Sequence, residues 1–139
     1  MIKKLSKKKV RSILEDKLGL PVDLGRFWPL APDYYVLEKE DFKKFILSVP
    51  SVEQGFIPVL FDCDAYAKVF SGRVKEAAAK KYSAGAALAF GDITVRHKKS
   101  GEVHTLNFFI TEDEDAFYYE PQGSIFVNGE NYKPIRAGI

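Results

Sequence analysis

The hydrophobic period changes once along this chain, and the change restricts the fold more than any other feature. Up to about residue 82 apolar residues recur at three- and four-residue spacing; from Leu88 onward they alternate. Cys63, Tyr66, Ala67, Phe70, Val74, Ala77 and Ala78 make the strongest helical stripe, which runs to Tyr82. Asp62 is its expected N-cap, because a side-chain oxygen there can accept an unpaired amide of the first turn. Residues 88–96, 102–110, 116–120 and 124–127 read as strands. The turns at 98–101 and 112–115 are short, which predicts an antiparallel meander. Helices first and a sheet second is an α+β order.

Ahead of the main helix the signals are weaker. Residues 5–18 read as a helix, with Val10, Ile13, Leu14 and Leu18 beside a lysine-rich face, Gly19 as C-cap and Pro21 as stop. Seven of the first seventeen residues are Lys or Arg, against two acids, so this segment is the one basic stretch. A solvated helix face accounts for it. A phosphate- or membrane-contacting arm is the other reading, and no interleaved aromatics support it. Residues 21–32 are irregular around Phe27 and Trp28, which are expected to cover the core. A short β-prone run at 34–37 follows, then a helix at 41–49 with Phe42, Phe45 and Ile46 on one face. The run at 56–61 is extended but broken by Pro58. The chain divides on this reading into a basic N-terminal helix and linker, 1–24, and one domain, 25–139.

Composition narrows the function classes. At 139 residues the chain suits one domain, and 46% hydrophobic with 29% charged residues excludes a disordered or collagen-like protein. No apolar run reaches the roughly 18 residues of a membrane span. The net charge of +2 carries no global nucleic-acid signature, so nucleic acid is not an expected partner. One cysteine cannot form an internal disulfide, and no secretory signal is read at the N-terminus. A cytoplasmic location is expected.

Three residues carry the candidate chemistry. Cys63 opens the best helix, where amides and the macrodipole favour a thiolate, while Asp62 and Asp64 oppose it. A lone cysteine on an apolar stripe is also an ordinary core residue. His97 stands in a basic turn and reads as solvated. His104 stands mid-strand on one face with Leu106, Phe108 and Ile110, where a hydrogen-bonded core histidine is the plain alternative. Glu120, on the following strand, can orient a histidine ring, and Gln122 can offer an amide to an oxyanion. The order cysteine at a helix start, histidine on a strand, acid on the next strand is that of papain-like thiol enzymes.

The strings Phe61-Asp62-Cys63-Asp64-Ala65-Tyr66-Ala67, His104-Thr105-Leu106-Asn107 and Tyr119-Glu120-Pro121-Gln122 resemble the papain-like C-terminal domain of the Marasmius oreades agglutinin family. They look closer still to its stand-alone phage and bacterial relatives. The resemblance implies an α+β papain-like fold, with the cysteine-bearing helix on an antiparallel sheet plus an N-terminal helix. It implies Cys63 as nucleophile, His104 as base and acid, Glu120 as orienter and Gln122 near the reacting centre. It also implies calcium held through Asp62 and Asp64. A departure is Val103-His104-Thr105, where the family commonly has Gly-His-Ala. The function expected is a cysteine hydrolase acting on a peptide or isopeptide bond of a peptide or protein substrate. The alternatives are a catalytically silent accessory binding module with the same fold, or an amine acyltransferase. The oligomeric state is not legible.

Overall fold

Ser6 divides the first segment in two. Its side chain accepts the Lys9 amide at 3.2 Å, so helix α1 (Lys7–Ile13) begins after it and Lys3–Ser6 stays extended as strand β1. A π-helical turn, Leu14–Leu18, continues α1 and stops at Gly19, whose φ of 74° needs no Cβ to be accommodated. The single helix expected over 5–18 is therefore a strand, a short helix and a wider turn. The computed structural model describes residues 2–21, 27–28, 31–53, 62–82 and 85–139, and of Phe27 and Trp28 the backbone alone. The burial expected for Phe27 and Trp28, the run at 56–61 and a boundary between residues 24 and 25 lie outside what is described.

Strands β2 (Phe27–Trp28) and β3 (Asp33–Val36) precede α2 (Lys39–Ser48), which Glu38 caps by accepting the amides of Glu40 and Asp41. Helix α3 (Cys63–Lys81) starts where Asp62 accepts the Ala65 amide at 3.2 Å, as its cap position predicts. Strands β4 (Ala87–Leu88), β5 (Phe90–His97), β6 (Val103–Ile110), β7 (Ala116–Glu120), β8 (Ile125–Val127) and β9 (Tyr132–Gly138) complete the chain. Antiparallel pairs join β5 to β6, β6 to β7 and β7 to β8. Strand β9 then returns antiparallel to the other edge of β5, and β2 lies parallel to β9. The six strands run β2-β9-β5-β6-β7-β8, beside a smaller sheet β1-β3-β4.

Alternation along β5, β6 and β7 sends side chains into two buried cores. Ile93, Val95, Leu106, Phe108 and Tyr118 meet Val10, Ile13 and Leu14 of the N-terminal segment. Phe90, Phe109 and Tyr119 meet Phe42, Phe45 and Ile46 of α2 and Phe70 and Val74 of α3. In the second core Phe70 stacks on Tyr119 at 5.3 Å, and Phe42 lies 4.9 Å from Phe109. Such aromatic pairs add orientation to simple area burial.

The helices-then-sheet order is corrected by this topology. Strand β1 precedes every helix, β3 lies between α1 and α2, and β9 occupies a place inside the large sheet. The reason is that Lys3–Ser6 and Tyr132–Gly138 find hydrogen-bonding partners far away in sequence, on β3 and β5. Local pattern carries no record of such pairing.

Candidate functional site

Strand pairing brings His104 and Glu120 together. In the register of β6 with β7, Asn107 lies opposite Tyr119, so counting outward places residue 104 close to the end of β7. The His104 Nε2 and Glu120 Oε2 atoms are in hydrogen-bond contact, with the side chains 31% and 17% exposed, so the pair is reachable from solvent yet partly shielded. Glu120 Oε1 accepts the backbone N–H of Gln122 at 2.9 Å. One carboxylate is thus held from two directions, by an imidazole and by a turn amide. Gln122 acts there through its backbone, and its exposed residue belongs to the turn before β8.

Cys63 is half-buried at the first position of α3 and is a free thiol. Among the described residues no hydrogen bond joins it to His104. Asn107 reaches α3, donating from Nδ2 to the Ala67 carbonyl at 2.9 Å and to Gly91 at 3.1 Å. His104 has the opposite parity and belongs with Leu106 and Phe108, which meet the N-terminal segment instead. Of the three side chains expected to converge, His104 and Glu120 are in hydrogen-bond contact.

The aspartates beside Cys63 have other duties. Asp62 caps α3, and Asp64 pairs with Lys68 one turn on, at 2.9 Å. Among the described residues no group of three or more His, Cys, Asp or Glu side chains is placed to hold a metal ion. Asp92 lies nearby on β5. Burial raises its pKa, with Lys68 and Lys75 lowering it and Asp64 raising it; burial likewise lowers the pKa of Lys75.

The remaining sequence candidates fall elsewhere. His97 Nδ1 accepts the amides of Lys99 and Ser100, each at 3.2 Å, and so closes the β5–β6 turn. In the acidic turn at 112–115, Glu114 takes a φ of 63° and meets Lys9 at 3.3 Å and Lys3 at 4.0 Å. Part of the N-terminal basic face is therefore docked against that turn. Asn107, Asp92 and Tyr118 were not among the candidates. A lone amide inside the apolar run Leu106–Ile110 was the legible signal for Asn107.

Comparison with known proteins gives a fold likeness. No family model matches the chain, and no curated protein matches it. Among solved structures, a PSL1a–E64 complex superposes with a TM-score of 0.78 at 22% identity, covering 98% of this chain and 51% of that one. A Polyporus squamosus lectin, bound to the human-type influenza-binding epitope Neu5Aca2-6Galb1-4GlcNAc, superposes with a TM-score of 0.78 at 24% identity, covering 98% and 49%. The fold is that of part of these lectin structures. The chain spans about half the length of the structures it matches. These findings correct the expected membership of the Marasmius oreades agglutinin family, and the papain-like α+β class and cysteine hydrolase function with it: what the chain superposes on is lectin structure. A peptide or protein substrate finds no support in them. No helix among the described residues is long and apolar enough to cross a membrane.

Proposed function

We propose that this chain is a binding module for carbohydrate, with the His104–Glu120 pair in its contact surface. The observation that carries the reading is the superposition of 98% of the chain on lectin structures, one of them described with a bound sialylated trisaccharide. It is an argument from fold, and the site chemistry supports it. Sugar hydroxyls are met by side chains that both donate and accept, and a carboxylate beside an imidazole offers both within one small area. The Gln122 amide holds the Glu120 carboxylate, so less order is lost when a ligand arrives.

A glycan array probed with the full chain tests this, followed by titration of the retained glycans. The expected result is retention of a defined glycan class, weakened about tenfold by His104→Ala or Glu120→Gln and unchanged by Cys63→Ala. Iodoacetamide is expected to label Cys63 slowly at neutral pH in the wild type and in His104→Ala alike. An empty array, or rapid labelling that depends on His104, would overturn the proposal.

A further inference from the structure

A cavity of about 480 Å³, lined by neither His104 nor Glu120, opens where the N-terminal segment meets the large sheet. Four chain segments build it: the end of the π-helical turn at Lys17–Gly19, the β5–β6 turn at Lys98, strand β7 at Ala116–Tyr118, and the β8–β9 connection from Val127 to Tyr132. Its volume lies in the range of sites for small molecules.

The lining is chemically uneven. Lys17 and Lys98 both border the space, and neither has a carboxylate partner among the described residues. Among the described residues Glu130 is the one acidic side chain of the lining, so their formal balance is positive. Tyr118 is only 2% exposed, and its hydroxyl oxygen makes no hydrogen bond among the described residues yet keeps some access to the cavity. Burial also raises its pKa, so it stays an O–H donor across the physiological range. Tyr132 stands edge-on to Tyr118 at 6.2 Å and 86°, which supplies an aromatic wall. Asn128 Oδ1 is spent on the Glu130 amide at 2.9 Å, which leaves its Nδ2 as a donor.

Backbone packing holds this arrangement in place. A Cβ at Gly129 would come within 2.6 Å of Tyr118 Cε2 and 2.9 Å of Cδ2, so the chain passes directly over the Tyr118 ring. A larger residue at 129 would displace the ring that carries the unpaired hydroxyl.

We infer that this cavity is a binding site for a small anionic, hydroxyl-bearing ligand of hexose size, its anionic group between Lys17 and Lys98 and a hydroxyl on Tyr118. Two ammonium groups and an idle phenol donor are complementary to an anion and to an acceptor oxygen on one scaffold. The aromatic wall suits the apolar face of a sugar ring. Carboxylate and phosphate share the required charge, and the two are separated by experiment.

The test uses the full chain, with isotope-edited NMR titrations of glucuronate, glucose 6-phosphate and glucose. Shifts are expected at the amides of Gly19, Gly129 and Tyr118 with one or both anions, and much weaker shifts with glucose. The anion that binds more tightly identifies the group preferred. Lys17→Gln with Lys98→Gln should weaken the anion about tenfold and leave glucose unchanged, since both residues are exposed and the fold does not depend on them. Tyr118→Phe should weaken it several-fold, with an unchanged thermal midpoint as the control for folding. Equal binding of glucose and the anions, or no shift at the cavity amides, overturns the assignment. Anion binding that survives the double lysine substitution overturns it as well.

Discussion

Asn107 is fully buried and spends both amide hydrogens on carbonyls, one of α3 and one of β5, while its Oδ1 has no partner among the described residues. It ties helix to sheet by giving the Ala67 carbonyl of α3 and the Gly91 carbonyl of β5 a side-chain donor. Asn107→Ala should destabilise the fold by about 3 kcal/mol, read from urea unfolding, because two buried hydrogen bonds between elements are lost and a small void remains. Asp92, on the same side of the sheet, makes a pH-dependent contribution. Its folded pKa is raised, so the native state holds this proton to higher pH than the unfolded chain does. Stability from this group is therefore greatest below the ordinary aspartate pKa and declines as pH rises through the raised value. Asp92→Asn removes that decline. Thermal melts between pH 3 and 7 should show the variant gaining on the wild type as pH rises, and a constant difference would refute the assignment. Lys75 acts in the alkaline range with the opposite slope, since its folded pKa is lowered.

At the level of elements, the centre of the large sheet depends on one absent side chain. A Cβ on Gly91 would overlap the Gly138 carbonyl oxygen and come within 2.9 Å of Phe108 Cε1. The β5–β9 pair therefore closes around a glycine, three residues before the bulge that begins at Thr94. Gly91→Ala should cost about 3 kcal/mol through forced separation of the strands, with amide exchange accelerated along β9 more than along β7. The helices answer to capping instead. Asp62 holds α3, Glu38 holds α2 and Ser6 holds α1, each by accepting amides of the first turn.

For the molecule as a whole, the N-terminal segment is a wall of the core. Val10 and Leu14 are fully buried and pack with Ile93, Val95, Leu106 and Phe108, while the lysines of the same helix face solvent or the Glu114 turn. Its basic character is thus the exposed side of an amphipathic piece whose apolar side closes the sheet. Leu14→Ala should lower stability by about 2–5 kcal/mol in chemical unfolding, the range for a fully buried leucine. The exposed Lys9–Glu114 pair should contribute below about 1 kcal/mol, so Lys9→Ala is expected to leave the unfolding midpoint nearly unchanged.

Local chemistry was readable in advance where it depends on neighbours in the chain. The stripe from Cys63 to Ala78, the cap at Asp62, the stop at Gly19 and the alternation through β5, β6 and β7 all follow from spacing and from what one turn of backbone requires. Period-2 alternation likewise placed His104 with Leu106 and Phe108. What it could not say is which element covers that face. Tertiary structure put the N-terminal segment there and α3 on the other, so His104 meets Glu120 while Asn107 takes the contact with α3. Strand β9, the two-sheet order and the cavity between Lys17, Lys98 and Tyr118 arise in the same way, from partners more than twenty residues apart. Composition and period are properties of short windows; pairing over long separations is decided by which buried faces and unpaired backbone edges can be satisfied together.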